Sequence, residues 1–231
     1  MMTRKLFYVP VLHTEPELGT LSAKVGKAGQ QILGTNRWQV HKKTVTCFWK
    51  QIAKFFEKLD VSGFKIYQDS LPAGGALGLK IVRENAKTGS LNHRLILDLV
   101  KRGAKVVKTE DGALLKEEYF LVKDLSEASN ILRGIIAYLR LKRKQERLLF
   151  QRDKFIAKRA DLTLKPNQTG IVFLGANHNV ASILSTLDFK VIKLKEPEKI
   201  RAYWQELFSA RNNWYLSILS KYLTAPVKFS A

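Results

Sequence analysis

Short apolar runs alternate along the chain with longer stretches in which apolar residues recur every three or four positions, which predicts strands alternating with helices. Leu6 to Leu12 is a compact apolar run broken by Pro10, read as a first strand whose later part lacks one ladder donor. It stops at His13-Thr14-Glu15-Pro16-Glu17-Leu18-Gly19. Residues 20–43 are rich in Gly, Lys and Gln without a clear period and are expected to form a long loop or short helices covering the rim. From Thr44, the positions Val45, Phe48, Trp49, Ile52, Phe55, Phe56 and Leu59 follow helical spacing and predict one buried stripe.

The alternation continues. Phe64 to Tyr67 reads as a second strand running into Gln68-Asp69-Ser70-Leu71-Pro72. Ala73 to Ala86 is a glycine-interrupted helical stretch, and Ser90 to Arg102 has a capping serine at its start and Gly103 at its end. Ala104 to Lys108 is the third predicted strand, ending at Thr109-Glu110-Asp111-Gly112. Asp124 with Glu127 has capping-box spacing and predicts the start of a long helix over 124–160. Ile171 to Leu174 is a fourth strand opening onto Gly175-Ala176-Asn177-His178-Asn179, with a helix after it, and Phe189 to Leu194 is a fifth. Glu196-Pro197 then starts a helix whose stripe is Ile200, Tyr203, Trp204, Leu207 and Phe208.

This order predicts an α/β fold: a mainly parallel β-sheet with helices on both faces, formed as one domain over 1–231. A chain of this length suits one core, and no repeat, low-complexity tract or Pro/Ser-rich linker divides it. Parallel sheets of this kind bind ligands beyond the carboxyl ends of their strands. The strand ends carry His13, Glu15 and Glu17; Gln68 and Asp69; Glu110 and Asp111; and Asn177 and His178. Gathered on one edge, two imidazoles and several carboxylates suit a divalent metal or general acid–base work. His13 and His178 are the candidate metal ligands or proton carriers, and Asp69 or Glu110 would orient them. The bland alternative is that these polar residues end strands and cap helices. His41 and His93 are read as structural. No nucleophile elbow, phosphate-binding P-loop, zinc-protease helix or dinucleotide-binding turn is present, which weakens serine-hydrolase, ATPase and dehydrogenase readings.

The segment Gln151-Arg152-Asp153-Lys154-Phe155-Ile156-Ala157, followed by Gly170-Ile171-Val172-Phe173-Leu174-Gly175-Ala176-Asn177-His178, resembles the TraB/Tiki-like family of the erythromycin-esterase/ChaN-like superfamily. There a helix bearing an Arg-acid pair precedes a strand ending in Gly-x-x-His. Val9 to His13 is similar to that family's first Gly-x-x-His strand, with Pro10 in place of the glycine, and Gly103 to Asp111 is similar to its third. Gln68 followed by Asp69 stands where the protease branch carries a glutamate. The resemblance implies a rim histidine pair and, by branch, metal-dependent peptide cleavage, ester hydrolysis or haem binding. Arg152 would hold a carboxylate or phosphate of the peptide or small-molecule substrate.

Charge adds a second reading. Forty Lys and Arg against twenty Asp and Glu give a formal net charge of +20, a field that attracts nucleic acid or other polyanions. Between Arg140 and Arg159 nine basic residues face two acids, and Arg140, Lys142, Arg143, Lys144 and Arg147 are the candidate polyanion contacts. Most aromatic residues occupy apolar stripes, where core packing is expected rather than base stacking. The terminal aromatic helix with Trp214 and Tyr215 is a candidate homodimer contact. Cys47, the lone cysteine, sits among apolar residues and is read as a structural thiol. The N-terminus reads as a strand rather than a signal peptide, no apolar stretch reaches the roughly 18 to 20 residues that span a bilayer, and a cytoplasmic location is expected.

Overall fold

The computed structural model describes residues 4–12, 33–126, 131–209 and 213–228. Its strands are β1 (Arg4–Val11), β2 (Lys65–Gln68), β3 (Lys105–Val107), β4 (Thr169–Gly175) and β5 (Phe189–Lys193). They form one sheet in the order β3-β2-β4-β1-β5, and every pairing is parallel. All carboxyl ends therefore open on one edge. Pro10 is tolerated in the interior strand β1 because its pairing with β5 ends at Tyr8↔Lys193. The Tyr8 carbonyl faces β5, accepting from the Leu194 N–H, and Pro10, two residues on, faces the same side where no strand residue needs its missing donor.

Among the described residues the helices are α1 (Thr35–Glu57), α2 (Gly75–Lys87), α3 (Leu91–Lys101), α4 (Gly112–Ser126), α5 (Ile131–Thr163), α6 (Val180–Ser185), α7 (Pro197–Phe208) and α8 (Asn213–Thr224). They cover both faces, as side-chain alternation along the strands requires. Phe7, Val9, Val11, Ile66 and Phe173 enter one core with α1, α3, α7 and α8. Leu6, Tyr8, Tyr67, Val172 and Leu174 enter the other with α5 and α6. The Ser90 side chain caps α3 by accepting from the His93 N–H, and Gly103, at φ 96°, makes the left-handed turn that returns the chain to β3.

Two expectations need correction. The stretch from 35 to 43 is helical, so α1 starts nine residues before Thr44. Trp38 and His41 extend the buried stripe at helical spacing, and the buried imidazole, bonded through Nδ1 to the Tyr203 hydroxyl at 3.0 Å, behaves as a core ring at a position that pattern alone counts as polar. Asp124 lies inside α4 and starts no helix; its partner Glu127 lies outside the described residues. The cap sits earlier, where Asp111 Oδ1 accepts from the Ala113 N–H at 2.7 Å. Residues 20–32 lie outside the described part. Among the described residues no helix is long and apolar enough to cross a membrane.

Candidate functional site

Three adjacent strand ends deliver the site. Asp69 follows β2, and its N–H reaches the Phe173 carbonyl at 2.8 Å, extending the β2–β4 ladder by one residue. Ser70 then turns the chain at φ 58°, a left-handed conformation uncommon for a residue with a side chain, and its hydroxyl donates to Asp69 Oδ1 at 3.1 Å. Glu110 follows β3 and is fully buried. The N–H groups of Thr109 and Glu110 both donate to the Leu71 carbonyl at 3.0 Å, which pins this strand end onto the neighbouring one. His178 follows β4 in a turn closed by its own N–H on the Gly175 carbonyl at 3.1 Å.

Helix α5 supplies the groups that join these ends. Ile156, Ala157 and Ala160 seat it in the core, and one turn earlier Arg152 and Asp153 point into the strand ends, both at 5% exposure or less. Arg152 Nη2 donates to Asp69 Oδ1 and to Glu110 Oε1, each at 2.7 Å, while Nη1 donates to Glu118 of α4 at 2.8 Å. Asp153 grips the turn after β4: Oδ1 takes a 2.5 Å bond from His178 Nδ1, and Oδ2 accepts from the Asn179 N–H at 2.8 Å. His178 Nε2 lies 3.5 Å from Asp69 Oδ2, which also accepts from the Gly175 N–H at 2.9 Å. Asp69 thus couples the arginine and the histidine.

The charge state follows from this placement. Buried Glu110 and Asp153 and part-buried Asp69 set three carboxylates against one guanidinium, so a protonated imidazole relieves an excess of negative charge. Burial works against the His178 cation, but Asp153 and Asp69 outweigh it and raise its pKa to about 9. Burial likewise disfavours ionised Asp69; the hydrogen bond and charge of His178, then Arg152 and the Gly175 N–H, hold the carboxyl far below its ordinary range. Glu110 is pushed up by burial despite its bonds to Arg152. Burial also opposes the Arg152 charge, and Glu110, Asp69 and Glu118 together more than restore it.

Beside this network is a cavity of about 470 Å³ whose wall includes Glu118, Arg152, Asn177, His178, Arg201 and Trp204. A second, of about 260 Å³, shares Asn177, His178 and Arg201 with it and is also lined by Tyr8, Ser182 and Lys193. The site therefore has an open side, and His178 stands on the wall of both spaces.

Of the residues expected at the rim, Asp69, Glu110, Arg152 and His178 come together, and Asn177 lines both cavities. Gln68 does not join them. Strand alternation turns it to the other face, where its Oε1 accepts from Asn92 at 2.9 Å. Asp111 serves as the cap of α4. His13, Glu15 and Glu17 lie outside the described residues, as do the side chains of Arg140, Lys142 and Arg143. Lys144 and Arg147 are exposed on α5, Arg147 meeting Glu117 at 3.1 Å. His41 and His93 are core groups, the latter bonded to Ser90 and Asn85. Cys47 is half-buried, 3.8 Å from the Thr224 carbonyl. Asp153 and Glu118 also belong to the site, beyond the residues that the sequence predicts for it. Asp153 adjoins Arg152 in sequence and was the readable signal; Glu118 offers none, since it reaches the site only through the packing of α4 on α5.

Asp69, Glu110 and His178 place possible metal-ligand atoms within 4.8 Å of one another. Their spacing suits a divalent ion and their present engagement does not. Both imidazole nitrogens face carboxylates, which leaves no free lone pair, and the Arg152 guanidinium already bridges the two carboxylates an ion would need. Comparison with protein families, curated proteins and solved structures finds no match.

Proposed function

We propose that this chain is a hydrolase of TraB/Tiki type that cleaves an ester or peptide bond in the cleft beside His178, with His178 as proton donor. The observation that carries the reading is a buried imidazole held between two carboxylates on a cavity wall, at the edge where parallel sheets place their ligands. A histidine with pKa near 9 is a cation at neutral pH and is not suited to act as base. Its Nε2–H, only loosely engaged 3.5 Å from Asp69, is the group that could turn to a developing oxyanion or leaving group. Glu118 is the one carboxylate among the residues lining the larger cavity, and it is the candidate base for the attacking water.

The test is hydrolysis of a panel of esters and peptides, with and without a chelator. His178→Ala is expected to lower kcat by about a hundredfold or more and Glu118→Gln by a comparable factor. A parent protein that turns over nothing on the panel ends the reading. A metal-dependent version is favoured by the spacing of Asp69, Glu110 and His178 alone; chelator-sensitive turnover with bound metal detected by elemental analysis would establish it over the metal-free one.

A second reading, binding of nucleic acid or another polyanion, is favoured by the net charge of +20 and by exposed Lys144 and Arg147 on α5. Its affinity would fall steeply with salt as phosphates release their counterions. Affinity that is absent, or insensitive to salt, removes it.

A further inference from the structure

The smaller cavity next to His178 contains a group that the charge network leaves unused. The Tyr8 hydroxyl is buried, and among the described residues it has no hydrogen-bond partner. Buried hydroxyls are nearly always paired, and Tyr8 is one of the residues that line this cavity, so its hydroxyl is a donor without an acceptor beside that space. Two basic side chains, Lys193 and Arg201, line the same space, with one acid, Glu198, among its walls, and Lys193 meets Glu196 at 3.2 Å in an exposed pair. Arg201 is fixed from behind by donating through Nη1 to the Ala176 carbonyl, in the turn that carries His178. Its Nη2 meets Glu198 at 3.0 Å in a half-exposed pair that is worth little in water and is open to exchange. Asn177 and the Ser182 hydroxyl add polar groups to the rim.

We infer that this cavity is an oxyanion subsite, in which Arg201 and Lys193 hold a carboxylate or phosphate group of the ligand and the Tyr8 hydroxyl donates to it. The ligand is then an anionic molecule whose charged end sits here, while the rest extends past His178 into the larger space that shares Asn177, His178 and Arg201. A buried donor and a fixed arginine read an oxyanion by shape as well as by charge, which a basic surface alone does not do. The inference deepens the reading of this edge as a ligand site, and it needs binding there, not turnover.

The test is calorimetric titration of the whole protein with inorganic phosphate and with succinate at fixed ionic strength, in the parent and in Tyr8→Phe, Arg201→Met and Glu198→Gln. Tyr8→Phe alters no charge, so weaker binding in it cannot come from general basicity. The expected result is saturable binding of at least one probe, weakened about tenfold by Tyr8→Phe and at least as much by Arg201→Met. Glu198→Gln, which frees Arg201, is expected to tighten it. Tyr8→Phe should leave the melting temperature of the unliganded protein unchanged or raised, because the lost hydroxyl had no partner to lose. The probe that binds identifies the oxyanion as phosphate or carboxylate. No saturable binding of either probe, or equal affinity in parent and Tyr8→Phe, overturns the inference. Binding that behaves as expected in a protein that hydrolyses nothing leaves the subsite standing and removes the hydrolase reading.

Discussion

His178 and His41 are both buried imidazoles, 7% and 4% exposed, and they are driven to opposite ends of the titration range. His41 packs among Trp38, Tyr203 and Trp204 with the neutral Tyr203 hydroxyl as its bonded partner, and burial lowers its pKa to about 4. His178 is buried to a similar degree, but Asp153 and Asp69 reach both of its nitrogens and the pKa rises to about 9. Burial alone thus makes a histidine a neutral core ring, and charged partners make it a fixed cation. The first belongs to the apolar core under α1 and α7, the second to the carboxyl edge of the sheet, and each is maintained by what its neighbours lack.

The contrast breaks most severely if the charge balance at the edge is removed. Arg152→Met leaves buried Glu110 and part-buried Asp69 without their guanidinium, and a loss of about 3–5 kcal/mol is expected in urea unfolding. The two histidines should next be visible as separate arms of the stability–pH curve. The His178 pKa is raised above its unfolded value, so its contribution is complete below about pH 6.5 and is lost as pH rises through 9. The His41 pKa is depressed, so its penalty grows as pH falls from 6.5 to 4. Each arm is on the order of 3 kcal/mol, and unfolding free energies measured from pH 4 to 10 should show both. His41→Phe should remove the acid arm and keep the alkaline one, at a cost of about 1 kcal/mol for the lost bond to Tyr203. Asp111→Ala touches neither histidine; it should cost about 1 kcal/mol through the cap of α4 and leave both arms unchanged.

The fold was legible because strand and helix periods differ and the breaks between them are marked by glycine and proline. Residues at the ends of β2, β3 and β4 could be placed on one edge from the parallel topology, and Asp69, Glu110 and His178 do meet there. Face was harder to read than edge. Gln68 and Asp69 are neighbours in sequence, yet alternation sends the first toward Asn92 and the second toward Arg152. Asp153 is marked in the sequence only by its place beside Arg152, since one of two acids within a basic helix reads as solvated; the docking of α5 through Ile156, Ala157 and Ala160 turns it inward. The early start of α1 is not legible in the pattern for the reason that separates the two histidines: His41 has a polar name and an apolar role. Tyr8 looked like any strand aromatic, and nothing in its spacing marks its hydroxyl as unpartnered.

The protonation of His178 is the property on which the charge balance of the edge depends. A histidine-resolved NMR titration of the parent and of Asp153→Asn tests it directly. The parent His178 should remain an imidazolium through neutral pH and titrate near 9 while His41 titrates near 4, and Asp153→Asn should lower the His178 midpoint without moving that of His41. A His178 midpoint at or below the ordinary value of about 6.5, or one indifferent to Asp153→Asn, would contradict the account.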